Sequence, residues 1–139
     1  TVELRVLDLP TDVKRLAALT AITQAAMAFY QDRFNSGAAR SRLNPEYLLQ
    51  NRWKAMRHGL DGKIIEPETG EILPIREQIE RLFDMIGAKA EQLGSSAHIE
   101  FAKKMLEAGN EAQWQIDTCR ELGGDLQALE LKIAGRTLA

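Results

Sequence analysis

Glycine and asparagine stops cut most of this chain into segments of helix length, and that punctuation constrains the fold more than any other feature. Asn44-Pro45 reads as a helix cap followed by proline at the first helical position, where its missing N–H is no loss. Gly59 closes that helix, in a left-handed conformation. A clean helical repeat follows over about 75–93, built on Ile75, Ile79, Leu82, Phe83, Ile86, Ala90 and Leu93, and Gly94 ends it. Ser96 opens another, carrying Ile99, Ala102 and Leu106 up to Gly109. Asn110 with Gln113 three residues on resembles a capping box. Gly123-Gly124 breaks that helix, and Asp125 caps a last one with Leu126, Leu129 and Ile133. Upstream, Thr11 is placed to cap a helix to about residue 33, with Val13, Leu16, Thr20, Thr23, Met27 and Tyr30 on one side.

Strand signals are few. "TVELRVLD" alternates strictly: Val2, Leu4 and Val6 point one way, Thr1, Glu3, Arg5 and Leu7 the other. "KIIEPETGEILP" suggests a small hairpin turning at Glu68-Thr69-Gly70, with Pro67 confining it to an edge or a short ribbon. The expected fold class is α+β and mostly helical: five or six helices with an N-terminal strand and a small hairpin. A lone half-buried strand has nothing to pair with. The expectation is therefore that residues 1–139 are the C-terminal portion of a larger domain whose sheet lies upstream.

At 139 residues the chain is one domain's worth and can bury a real core. Its net charge of −2 gives no global pull toward nucleic acid or an anionic membrane. No apolar run approaches the roughly 18 residues of a membrane span, and no signal-peptide pattern opens the chain. The single Cys119 has no internal partner and no metal-ligand neighbours. It reads as a semi-buried structural thiol and fits a cytoplasmic, reduced setting. Small-molecule partners, and a homo-oligomer, remain compatible with all of this.

One residue resists a structural reading. On a wheel at about 100° per residue, Ala55, Leu48, Arg52, Met56, Leu49 and Trp53 follow one another around one arc of the helix over 45–58. Arg52 sits inside that apolar stripe, with Asn51 at its border. A guanidinium buried there needs an anion. Asp8, Asp61 or Glu66 would supply one within the protein; a ligand would supply one from outside. Arg40, Arg42, Lys54, Arg57, His58 and Lys63 add a local positive field that can attract an anionic ligand. On the first strand, Glu3 and Arg5 share a face about 6–7 Å apart. A carboxylate beside a guanidinium can hold magnesium and a phosphate, or simply form a solvent-facing ion pair. His58 and His98 have no ligand-spaced neighbours. No catalytic triad order, Walker loop or dinucleotide fingerprint is present.

Three segments carry a resemblance. "VELRVLD" is similar to the (I/V)E-x-R-x-x-D strand of glutamate–cysteine ligases. "NRWKAMRHGLDG", with the "EPETGE" that follows, resembles the Asn-Arg-Trp-x-Ala-x-Arg-x-Gly-Leu-Asp segment of their type 2, carboxylate–amine ligase branch. "GNEAQWQ" and "GDLQAL" resemble that branch's last two helices. The resemblance implies an antiparallel sheet with helices on one side, forming a cleft. It also implies ATP- and magnesium-dependent activation of a carboxylate, commonly that of glutamate, as an acyl phosphate, followed by amide formation with an amine. Carried onto this sequence, Glu3 is a magnesium ligand, Arg5 and Arg52 are catalytic contacts to phosphate or acidic substrate, and Asn51 binds substrate at the same cleft. The branch often has glutamate where this chain has Gln50. The upstream sheet and its other carboxylates are not within these residues, so the expectation for the fragment by itself is inactivity. The rival reading is a non-catalytic helical interaction or dimerisation module.

Overall fold

The computed structural model describes residue 4, residue 7, residues 9–38 and residues 43–137. Glu3 and Arg5, with most of the alternating segment at the N-terminus, lie outside them, as do Asp8, Arg40 and Arg42. Six α-helices occur among the described residues: α1 (Val13–Asn35), α2 (Pro45–His58), α3 (Ile75–Gln92), α4 (Ser96–Ala108), α5 (Glu111–Glu121) and α6 (Leu126–Thr137). A single 3-10 turn, Gly59–Asp61, follows α2. Strands β1 (Lys63–Ile65) and β2 (Ile72–Pro74) pair antiparallel, Ile64 opposite Leu73. The α+β, mostly helical expectation is met.

The core is a three-helix assembly. Ala18, Ala21 and Ala25 of α1 face Phe83, Ile86 and Ala90 of α3 and Ile99, Ala102 and Leu106 of α4. The sequence reading chose the wrong face of α1. Val13, Leu16, Met27 and Tyr30 are exposed, and the alanines are buried. Large residues draw the eye in a hydropathy pattern. Here the small ones win because they let two neighbouring helices approach closely, and Phe83 and Ile86 supply the volume across the seam. Lys89 of α3 pairs with Asp32 at the far end of α1.

Most boundaries follow the punctuation. The Asn44 side chain accepts from the Glu46 N–H at 2.9 Å ahead of Pro45. Helix α3 ends in a Schellman motif: the Ser95 N–H reaches the Ala90 carbonyl at 2.8 Å and Gly94 N–H the Glu91 carbonyl at 3.0 Å. The α1 cap is Asp12 rather than Thr11. Its Oδ1 accepts from the backbone N–H groups of Lys14 and Arg15, whereas the Thr11 hydroxyl donates to Glu111 at 2.6 Å. Asn110 accepts from the Gln113 N–H at 2.8 Å, but Gln113 turns its amide to Asp117, so only half of a capping box forms. The hairpin turn is capped by Glu66, whose Oε2 accepts from the Glu68 and Thr69 N–H groups at 2.8 and 2.6 Å.

The hairpin is fixed to the core from both ends. β2 runs straight into α3, and the Ile75 N–H donates to the Gly62 carbonyl at 3.0 Å. Ile65, Leu73 and Ile75 are buried beneath it. Helix α2 packs on β1, not on the three-helix core.

Candidate functional site

The segment that carries the most specific sequence signal is one unit: α2, the 3-10 turn and β1. Asn51 ties it together. Its Nδ2 donates to the Ile65 carbonyl at 2.6 Å, and its Oδ1 accepts from the Ile65 N–H at 2.7 Å. This two-point bridge gives a strand residue, through a side chain, the hydrogen bonds that a further strand would supply. Asn51 is thus turned to the hairpin, and it fixes the rotation of α2 and the direction of its neighbour Arg52. The C-terminus of α2 is equally constrained. Gly59 has φ +54° and ψ −137°, and its N–H closes onto the Ala55 carbonyl. Only glycine occupies that backbone region without strain.

Arg52 does not face inward. It lies on the apolar arc, as the spacing predicts, but that arc is exposed. The half-buried residues of α2 are Tyr47, Asn51 and Lys54, at i, i+4 and i+7, on the opposite side. Amphipathicity alone assigns the apolar side to the interior. Here the Asn51 bridge and the small hairpin take the polar side, and the apolar side is left outward. The internal ion pairs considered for Arg52 are not formed among the described residues. Asp61 pairs with Arg76 at 3.9 Å, and Glu66 is engaged in the hairpin turn. Arg52 therefore presents a planar five-donor fork to solvent from a helix held by two hydrogen bonds. Arg57, His58 and Lys63 are exposed on the same unit, and the His58 ring meets Trp53 edge-on at 5.9 Å.

Two cavities lie beside this unit, and the sequence reading found neither. One, of about 580 Å³, opens between the end of α1, the hairpin and α3, and carries Tyr30, Arg33, Glu66, Gln78 and Arg81. Of these, Arg81 is paired with Glu77 at 2.7 Å and Arg33 stacks on the Phe29 ring at 5.8 Å. The other, of about 410 Å³, is lined mainly by Leu19, Ile22, Leu60, Phe83 and Met105, with Arg15 and Glu111 at its edge. Glu111 is shared: it accepts from Thr11, pairs with Arg136 at 3.2 Å, and lies 3.7 Å from Arg15. These long-range groupings have no signature in local spacing. Among the described residues, no three His, Cys, Asp or Glu side chains converge to hold a metal ion. The described residues thus do not fit a magnesium cage, and the predicted ligand Glu3 lies outside them. No helix among them is long and apolar enough to cross a membrane.

Fold and site together define an α+β chain with a helical core, from which a locked helix–hairpin unit presents Arg52, unpaired among the described residues. The profile of glutamate–cysteine ligase family 2 (GCS2) matches residues 1–130, and the chain belongs to that family. Relatives that bear a provisional glutamate–cysteine ligase 2 name include one from Gloeobacter violaceus, 31% identical over 115 residues, covering 83% of this chain and 31% of its own. A second, from Solibacter usitatus, is 28% identical over 123 residues, covering 88% and 32%. A third, from Rubrobacter xylanophilus with a provisional glutamate–cysteine ligase 2-2 name, is 32% identical over 139 residues, covering 100% and 35%. The chain spans about a third of the length of these curated relatives.

Proposed function

We propose that this chain is part of a carboxylate–amine ligase that uses ATP and magnesium, and that α2 contributes Arg52 to its cleft as a contact to an anionic oxygen. Family membership supports the reaction class. The observation that carries Arg52 is its combination of rigid support and open valence: the Asn51–Ile65 bridge holds the helix, and no described residue neutralises the guanidinium. Arginine in that state matches a carboxylate or phosphate bidentately, and such donors stabilise charge that develops during acyl and phosphoryl transfer. Asn51 acts as a positioning residue for Arg52. Glu3 as a metal ligand and Arg5 as a second anion contact complete the proposal. The described residues form no metal cage, so a magnesium site that includes Glu3 takes its other ligands from outside them. For the same reason the 139-residue chain by itself is expected to give no turnover with ATP, magnesium, glutamate and an amine.

The test is Arg52→Lys in a full-length enzyme made by setting these 139 residues into the Rubrobacter relative in place of the matching third. The charge stays and the fork is lost. The expected fall in kcat/KM is ~10-fold or more, with little change in melting temperature, because lysine keeps the charge and no described residue pairs with the guanidinium that is lost. Unchanged kinetics with a large melting shift would make Arg52 a structural residue.

A further inference from the structure

Helix α2 is packed with its polar side in and its apolar side out. Leu48, Leu49, Trp53 and Met56 are 45%, 67%, 60% and 77% exposed. They form one continuous arc, whereas the half-buried Tyr47, Asn51 and Lys54 form the other. The rotation is not a loose average, because two hydrogen bonds from Asn51 to one strand residue fix it. A tryptophan, a methionine and two leucines on one helix face make a patch of the kind that marks a contact surface.

We infer that this face docks against the part of the ligase domain that lies beyond these residues, an inference that rests on the ligase reading above. The occupant is an apolar protein surface belonging to the two-thirds of the curated relatives' length that this chain does not span. Length favours it: a domain of that size has a large further surface to cover, and this arc, like the outer side of α1, is an apolar helix face of the matching third left open to it. Charge argues against a second copy of this chain. Arg52 lies within the arc, and two-fold pairing of the face with itself sets Arg52 against its own counterpart between apolar side chains. Docking to a different surface puts Arg52 at the seam instead, at the border of the proposed cleft.

Hydroxyl-radical footprinting read by mass spectrometry tests this at Trp53 and Met56 without a mutation. The samples are the 139-residue chain and the same chain set into the full-length Rubrobacter relative. Both residues should be modified about fivefold less in the full-length protein, as expected of an interface core that excludes water. Phe101 and Met105, packed against the core in both, give the reference rate. Equal modification in a folded full-length protein overturns the inference. So does protection already present in the 139-residue chain together with sedimentation as a dimer, which would make a second copy the occupant. If the composite protein does not fold, the natural Rubrobacter relative is footprinted at the positions aligned with Leu49, Trp53 and Met56, and exposure there overturns the inference equally. Ligase activity is read separately. A protected face in an inactive enzyme leaves docking standing and removes the proposed reaction.

Discussion

Gly59 shows how much can hang on one backbone conformation. Its φ of +54° and ψ of −137° lie where an L side chain is strained, and a Cβ built there would sit 2.7 Å from Nδ2 of Asn110. Asn110 is also the cap of α5, so a side chain at 59 strains its own backbone and pushes on the start of another helix. Gly59→Ala is expected to cost about 2–3 kcal/mol, a fall in melting temperature of about 10 °C for a chain of this size. Scanning calorimetry of the two proteins measures it. A change below about 2 °C would mean that the turn relaxes freely. The residue scale is also where sequence reasoning did well, because caps and glycine stops act through bonds to near neighbours. Asn44, Gly94 and Asp125 each do what their spacing predicts.

Among the elements, α1 carries the sharpest correction. Its buried stripe is Ala18, Ala21 and Ala25, and the long side chains at Leu16, Met27 and Tyr30 look outward. Close approach of α3 and α4 leaves no room at the seam. Ala25→Leu is therefore expected to destabilise by about 1–3 kcal/mol through overpacking. Met27→Leu, on the exposed side, should stay within about 0.5 kcal/mol of the parent. Urea midpoints at constant m-value give both numbers. If leucine at 25 is neutral, the seam is looser than its buried alanines indicate.

Across the whole molecule, stability is unevenly spread. The α1–α3–α4 core holds most of the buried apolar surface, whereas α6 has no buried residue. Beside the half-buried Ala128, Leu129 and Ile133, α6 is attached by polar contacts. The Arg136 guanidinium lies 4.0 Å from the Trp114 ring centre, pairs with Glu111, and approaches Asp12 at 3.9 Å. Thr137 adds a hydrogen bond to the Thr11 carbonyl at 2.6 Å. Local opening should follow this gradient. Amides of α6 are expected to exchange with solvent at least ~100-fold faster than those of α3 and α4. Arg136→Ala should speed α6 by about a further tenfold, the loss of a partly desolvated cation–π contact and ion pair, and leave α4 unchanged. Equal acceleration in α4 would show that α6 and the core open together.

The succession of helices, the hairpin at Glu68-Thr69-Gly70 and the stops between them were determined by the sequence itself, because capping side chains, proline at a first turn and left-handed glycine act within a few residues of chain. The resemblance of the Asn51–Gly62 segment to a ligase motif is likewise a property of the linear sequence, and the family match agrees with it. The facing of each helix belongs to tertiary structure. Periodicity places Arg52 among apolar neighbours, but which arc meets the protein depends on what the helix packs against, and Asn51 bonded to Ile65 chose the polar one. In α1 the choice turned on volume, since alanine lets helices meet where larger residues keep them apart. The joining of Thr11, Arg15, Glu111 and Arg136 spans more than a hundred residues of sequence and is set by the fold alone.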